Sequence, residues 1–289
     1  MLPQVDFEQP AAVSEFVRAK FRALYADADD AWLGRLFQDM DDTFNGRSQD
    51  YAPVDLKYHN FQHTLMATVC MAQILEGQRM APSGIGALLT ARDFELAIAA
   101  VLLHDTGYLK LKSDPAGTGA KYTYCHIVRS CAFAASYLPL VGAGASDVDS
   151  VVAAINCTGP NSDINWLRFR DPVSRLVGCA LATSDYLGQL ADPHYVGKLG
   201  YLYAEFRESD DFVHVAPEQR MFKSADDLLR RTPGFWTNVV RPKLDRDFQG
   251  VYRFLERPVG SGKNGYLEAV DANFAEISRR IAAPESTGG

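Results

Sequence analysis

A chain of 289 residues, 47% hydrophobic and 22% charged, has the composition of an ordinary globular protein and can bury a core without disulfide or metal staples. Any metal ion is therefore expected to be functional rather than structural. A net charge of −7 with no basic tract excludes non-specific binding to a nucleic-acid polymer, although a metal ion could still supply the local positive charge that holds a small phosphate ester.

No apolar stretch reaches the roughly 18 residues of a membrane span, and the opening MLPQVDFEQP has neither a basic n-region nor an apolar h-region. A cytoplasmic protein without a membrane partner is the expectation. The cysteines, Cys70, Cys125, Cys131, Cys157 and Cys179, form no Cys-x-x-Cys pair and read as reduced core residues.

Helical periodicity runs through the chain. Residues 12–44 read as one or two amphipathic helices, with Val13, Phe16, Val17, Phe21 and Leu24 at i, i+3, i+4 spacing. Residues 45–57 read as a loop and 60–76 as a strong helix. A break is expected at Ala81–Gly86, where Pro82 and two glycines cluster. The stretch 93–103 is apolar all round, the pattern of a buried helix.

Residues 113–120 read as a flexible loop and 122–138 as helix. Ser146 to Asp149 resembles a capping box opening the next helix, which Gly159-Pro160 stops. Asp171-Pro172 is an N-cap followed by a first-turn proline, starting a helix over 172–190. Ser224 to Asp227 marks another helix start, 265–282 a final helix, and PESTGG a disordered tail. No segment alternates as a strand does. The expected fold is all-α, about ten helices: residues 1–50 packed on a catalytic region at 51–256, with 257–289 as a C-terminal helix and tail, together one structural domain.

Three pieces carry chemistry. In Tyr58-His59-Asn60-Phe61-Gln62-His63, two histidines stand four residues apart, which on a helix puts them on one face about 6 Å apart. His63 shares its row with Met66, Ala67, Cys70 and Ile74, so it faces apolar territory. The alternative is a hydrogen-bonded histidine pair with no ligand.

His104-Asp105 ends the apolar helix, so two titratable groups enter the interior together. Burying a lone carboxylate costs several kcal/mol, a cost that a cation bound by both side chains removes. The alternative is that Asp105 caps the next segment and His104 bonds to a carbonyl. Asp185 falls on the stripe of Val173, Leu176, Val177, Ala180 and Leu181, an inward carboxylate on an apolar face; its alternative is a salt-bridged aspartate near a helix end. Together the three pieces offer two imidazoles and two carboxylates, a set suited to one or two divalent ions (Zn, Mn, Mg or Fe) with open positions for water.

The order His63, His104-Asp105, Asp185 resembles the HD superfamily of metal-dependent phosphohydrolases. Tyr58 to His63 matches in full the Tyr-His-Asn-x-x-His phrase of the catalytic domains of class I cyclic nucleotide phosphodiesterases. Weaker likenesses follow at Val151–Ile155 and Glu205-Phe206, and a specific one at Pro233–Pro242, so the resemblance spans about 58–255.

It implies an HD-type helical bundle that hydrolyses a phosphate ester, such as the phosphodiester of a (cyclic) nucleotide, by attack of water activated on the metal. It further implies His59 as general acid, His63, His104, Asp105 and Asp185 on the first metal, His126 serving a second, and Phe235 stacking on a base. Two positions depart from the pattern. Tyr108 stands where the family has a further histidine, and Thr232 falls where a glutamine reads the base, leaving Thr232 as a substrate-binding candidate of different chemistry.

His126 has a second reading as a helix-face histidine near solvent. A nucleotidase or other phosphomonoesterase stays open as an alternative. A di-iron oxygenase of the same fold is also open, though it calls for more histidines than can be placed, and so is a non-catalytic module, though that suits a set that has lost ligands. The expected partner is a small phosphate ester, with a homodimer left open. Gly260-Ser-Gly-Lys263 fails as a phosphate loop, because Arg257 stands at the first glycine position and Asn264 follows the lysine.

Overall fold

The computed structural model describes residues 2–81, 88–159 and 162–282. The expected break at Pro82–Gly86, Pro160 of the helix stop and the PESTGG tail lie outside the described residues. Among those described, ten α-helices follow one another: α1 Pro10–Leu24, α2 Ala31–Phe44, α3 Phe61–Met80, α4 Ala91–Leu103, α5 His126–Tyr137, α6 Ala145–Ile155, α7 Pro172–Leu190, α8 Tyr195–Phe212, α9 Ala225–Phe235 and α10 Gly265–Ala282. The only β-type pairing among the described residues is one isolated bridge, Tyr51 to Leu111. The all-α expectation therefore holds.

The helices at the centre are those whose apolar residues leave no polar face. Every residue of α4 from Phe94 to Leu103 is buried, as is most of α3 and α7. Each large apolar side chain buried this way contributes roughly 2 kcal/mol. The α3 and α7 helices form the most extensive contact, and Gly188 makes it close: a Cβ there would sit 2.9 Å from the Ala67 backbone.

Around this centre pack α1 and α2 on one side, through Val13, Val17, Phe21, Leu33 and Met40, and α10 on another, through Val270 and Ile277, in one continuous core. No helix among the described residues is long and apolar enough to cross a membrane.

Helix starts follow local chemistry. Asn60 caps α3 by accepting from His63 N, Asp171 caps α7 by accepting from Ser174 N ahead of Pro172, and Ser224 caps α9 by accepting from Asp227 N. The start of α6 differs from expectation: the helix opens earlier, with Gly144 at the cap and its N–H donating to Asp147. Ser146 is already inside the helix, where its hydroxyl accepts from Arg170.

The segment expected to be a flexible loop at 113–120 is tied down. Thr118 donates from its N–H and its hydroxyl to Glu208, Lys121 donates to Asp114, and Lys110 donates to the Gly117 carbonyl. It runs into a short 3-10 turn, Gly119–Tyr122, which is separate from α5 rather than part of one helix over 122–138. All five cysteines are free; Cys70, Cys157 and Cys179 are buried, Cys131 is half-buried, and Cys125 is exposed rather than in the core.

Candidate metal centre

The site begins where α4 stops. Because that helix is apolar on every side from Leu96 to Leu103, its end lies in the interior, and His104 and Asp105 emerge there only 1% and 4% exposed. A 3-10 turn, Thr106–Tyr108, follows at once. Its hydrogen bonds are local: Tyr108 N donates to the Asp105 carbonyl and the Thr106 hydroxyl to that of Leu103. Gly107 N donates to the Ser130 hydroxyl on α5, and a Cβ on Gly107 would lie 1.9 Å from the His126 carbonyl oxygen. Only glycine lets α5 approach this closely.

Three helices aim side chains at one point. His63 comes from the first turn of α3, His104 and Asp105 from the end of α4, and Asp185 from α7. Donor atoms of His63, His104 and Asp105 all lie within 4.8 Å of one another. Asp105 Oδ2 is 3.3 Å from His63 Nε2 and 3.4 Å from His104 Nε2. Asp185 Oδ1 is 3.3 and 3.6 Å from the same two nitrogens.

Yet His104 Nε2 and Asp105 Oδ2 are buried with no hydrogen-bond partner. Such orphaned atoms cost about 1–3 kcal/mol each, more when charged. A divalent cation among these donors would remove the cost, so the residues fit one.

The electrostatics agree. Burial alone would push Asp105 up, but the charge of His104 and the closeness of His63 hold it well below the usual carboxylate range. Asp185, half-buried, is held down by contacts from His104 and His63. Burial would lower His63, but Asp105 and Asp185 raise it to about 10. His104 is raised in the same way against its burial, chiefly by Asp105. A buried and a half-buried carboxylate thus demand positive charge, and protons and a metal compete for the same imidazole lone pairs.

The supports around the candidate ligands are visible. His104 Nδ1 donates to the Val101 carbonyl at 2.7 Å, leaving Nε2 as the lone pair that faces Asp105 and Asp185. The carbonyl bond and a ligand role are therefore compatible rather than alternatives. Tyr58 donates to Gln189 at 2.7 Å, and Gln189 donates to Asp185 Oδ1 at 3.2 Å.

His126 stands on the other oxygen of Asp105, with Nε2 3.9 Å from Oδ1 and Nδ1 bonded to the Thr123 carbonyl. Burial lowers His126, favouring the neutral imidazole that a metal requires. It is largely covered rather than a surface histidine.

His59 departs from the sequence reading. The cap at Asn60 has extended backbone, so α3 starts after His59, and the two histidines are not on one helical face. His59 still reaches the site, its ring centroid 5.6 Å from that of His63. What positions it is Glu205 of α8, whose Oε2 is 2.7 Å from His59 Nδ1 while Oε1 accepts from Tyr58 N. Glu205 had only a two-residue likeness to mark it. A sharper signal was available: Leu199, Leu202, Glu205 and Ser209 share one helical row, so Glu205 interrupts an inward stripe. Gln189 carried no comparable signal.

The substrate-side candidates lie on α9. Thr232 is buried and its hydroxyl donates to the Leu228 carbonyl within the helix. Phe235 is 39% exposed, with its ring 6.3 Å from that of Tyr186, the residue after Asp185. The large cavity, about 510 Å³, is lined by Tyr51, Arg129, Phe133 and Tyr137 among others and contains none of the candidate ligands. A narrower one beside His63 is lined by Tyr58, Gln189, Asp192 and Lys198. No family model and no curated protein matches the chain.

Proposed function

We propose that this protein is a metal-dependent phosphohydrolase of the HD type, acting on a phosphate ester and most simply on a phosphodiester such as a (cyclic) nucleotide. The observation that carries the reading is the pair of buried atoms without a hydrogen-bond partner, His104 Nε2 and Asp105 Oδ2, facing His63 and Asp185. His63, His104, Asp105 and Asp185 would hold one divalent ion, and His126 with Asp105 Oδ1 would serve a second. Such an ion supplies Lewis-acid polarisation of a phosphoryl oxygen and acidifies a coordinated water.

The residues of the chain divide the remaining work. Glu205 accepts a hydrogen bond from Nδ1 of His59, which leaves Nε2 as the atom that would deliver a proton to the leaving ester oxygen. Val101 and Thr123 fix the tautomers of His104 and His126 so that Nε2 of each turns to Asp105. Gln189 and Tyr58 orient Asp185. The apolar bodies of α3, α4 and α7 exclude water from behind the ligands, where unscreened charges act most strongly. Phe235, partly exposed beside Tyr186, would be the side chain that stacks on a base. Thr232 has its hydroxyl proton engaged within α9, so it could offer a base edge only an acceptor.

The test combines metal analysis of protein purified without chelator with a screen of bis(4-nitrophenyl) phosphate, 4-nitrophenyl phosphate, cyclic nucleotides and deoxynucleotides. Bound divalent metal and metal-dependent release from a diester are expected. Bound iron with oxygen consumption and no phosphate release, or protein that binds no metal, would overturn the reading.

A further inference from the structure

Tyr108 stands between the two histidines that flank the ligand cluster. Its ring lies 4.7 Å from that of His59 at an interplanar angle of 14°, and 4.6 Å from that of His126 at 17°. The three rings form one stack, His59, Tyr108, His126, drawn from three separate parts of the chain. Tyr108 is 2% exposed and sits in the 3-10 turn directly after Asp105, held by its N–H to the Asp105 carbonyl. Its position relative to the cluster is thus set by the same turn that sets Asp105.

Each neighbour is held at one edge only by hydrogen bonding. His59 is anchored at Nδ1 by Glu205, and His126 at Nδ1 by the Thr123 carbonyl. A single bond at one ring nitrogen leaves the imidazole free to swing about that bond. A flat neighbour on the ring face removes this freedom, because offset stacking favours near-parallel planes. Tyr58 and His63 touch His59 edge-on, so Tyr108 supplies the parallel face.

We infer that Tyr108 is a positioning residue that fixes the ring planes of His59 and His126, and so sets the aim of the proton donor and of the outer imidazole at Asp105. The work is done by the face of the ring, not by its hydroxyl. The inference rests on the phosphohydrolase reading for its kinetic consequence and on geometry alone for the rings.

The experiment compares Tyr108→Phe, which keeps a flat ring, with Tyr108→Leu and Tyr108→Met, which fill the space without one. In metal-loaded protein, Tyr108→Phe is expected within about twofold of the parent, and the two aliphatic variants to lose roughly ten- to hundredfold in kcat, the scale of a misplacement near 1 Å, with KM little changed. Metal content should stay at the parental level in all three. Crystal structures of the parent and an aliphatic variant supply a readout that needs no turnover: the His59 and His126 planes should rotate while His63 and His104 stay in place.

Unrotated rings, or a Phe variant as impaired as Leu, would overturn the positioning role. A parent that hydrolyses no phosphate ester would instead sink the proposed function, and the crystallographic comparison would still decide the role of Tyr108.

Discussion

The two ends of the candidate site differ in how strongly the fold commits them. At the cluster, His104 Nε2 and Asp105 Oδ2 are buried, close together and without a hydrogen-bond partner, a costly arrangement unless something offsets it. At α9, Thr232 has satisfied its own hydroxyl within the helix and Phe235 is partly open to solvent. Among the described residues of α9 no buried polar side-chain atom lacks a hydrogen bond, although the Tyr186 hydroxyl on the neighbouring ring does. A site with unmet electrostatic demand points to a ligand of definite chemistry, whereas a satisfied helix with an exposed ring fits many ligands equally. Chemistry is therefore easier to read at the first end than specificity at the second.

Mutation can break or sharpen that contrast. The largest effect is expected from Asp105→Ala, which removes the carboxylate shared by His63, His104 and His126. Bound metal after dialysis should fall to background and turnover by on the order of a thousandfold or more, the equivalent of several kcal/mol of lost charge stabilisation. Chelator treatment of the parent should reproduce the loss. A variant that keeps both metal and rate would dissolve the distinction between the two ends.

His59→Ala should separate the acid from the ligands, retaining metal while losing about 10²–10⁴ in kcat. If turnover survives, Glu205 holds a histidine with no role in proton transfer. Phe235→Ala acts at the other end and should be milder. Loss of a stacking contact of about 1 kcal/mol predicts a severalfold rise in KM for a base-bearing substrate, with kcat and metal content unchanged. A collapse of kcat would show that α9 is more committed than its exposure suggests.

The smallest effect tests the scaffold rather than the site. Asp171 caps α7, the helix that carries Asp185, and its bond from Ser174 N holds its carboxyl down to about 2. A lowered pKa stabilises the fold above the ordinary aspartate value and loses that contribution as pH falls through about 2. Asp171→Ala should cost about 1 kcal/mol at neutral pH by denaturant titration. The difference from the parent should shrink in strong acid. An unchanged difference there would assign the effect to something other than the cap charge.

Helix identity was largely legible from residues alone, because it depends on neighbours within four positions. The Asp171-Pro172 start and the 265–282 span were read in place, and His63, His104 and Asp185 could be picked out as polar groups on apolar rows. Where local signals compete, the reading slipped: Gly144 rather than Ser146 caps α6, since Asp147 can serve the earlier N–H. His59 falls outside α3 because Asn60 captures the His63 N–H and ends the helix before it.

Sequence by itself determined the all-helical architecture and which polar side chains must face inward, since a period of 3.6 and an apolar stripe are properties of short segments. Tertiary structure alone decided that Glu205 reaches back across the chain to His59, that the two oxygens of Asp105 face different histidines, and that Tyr108 is clasped between two imidazoles. Those contacts join residues from separate elements. They follow from how helices pack, and packing leaves no periodic trace in the segments it brings together.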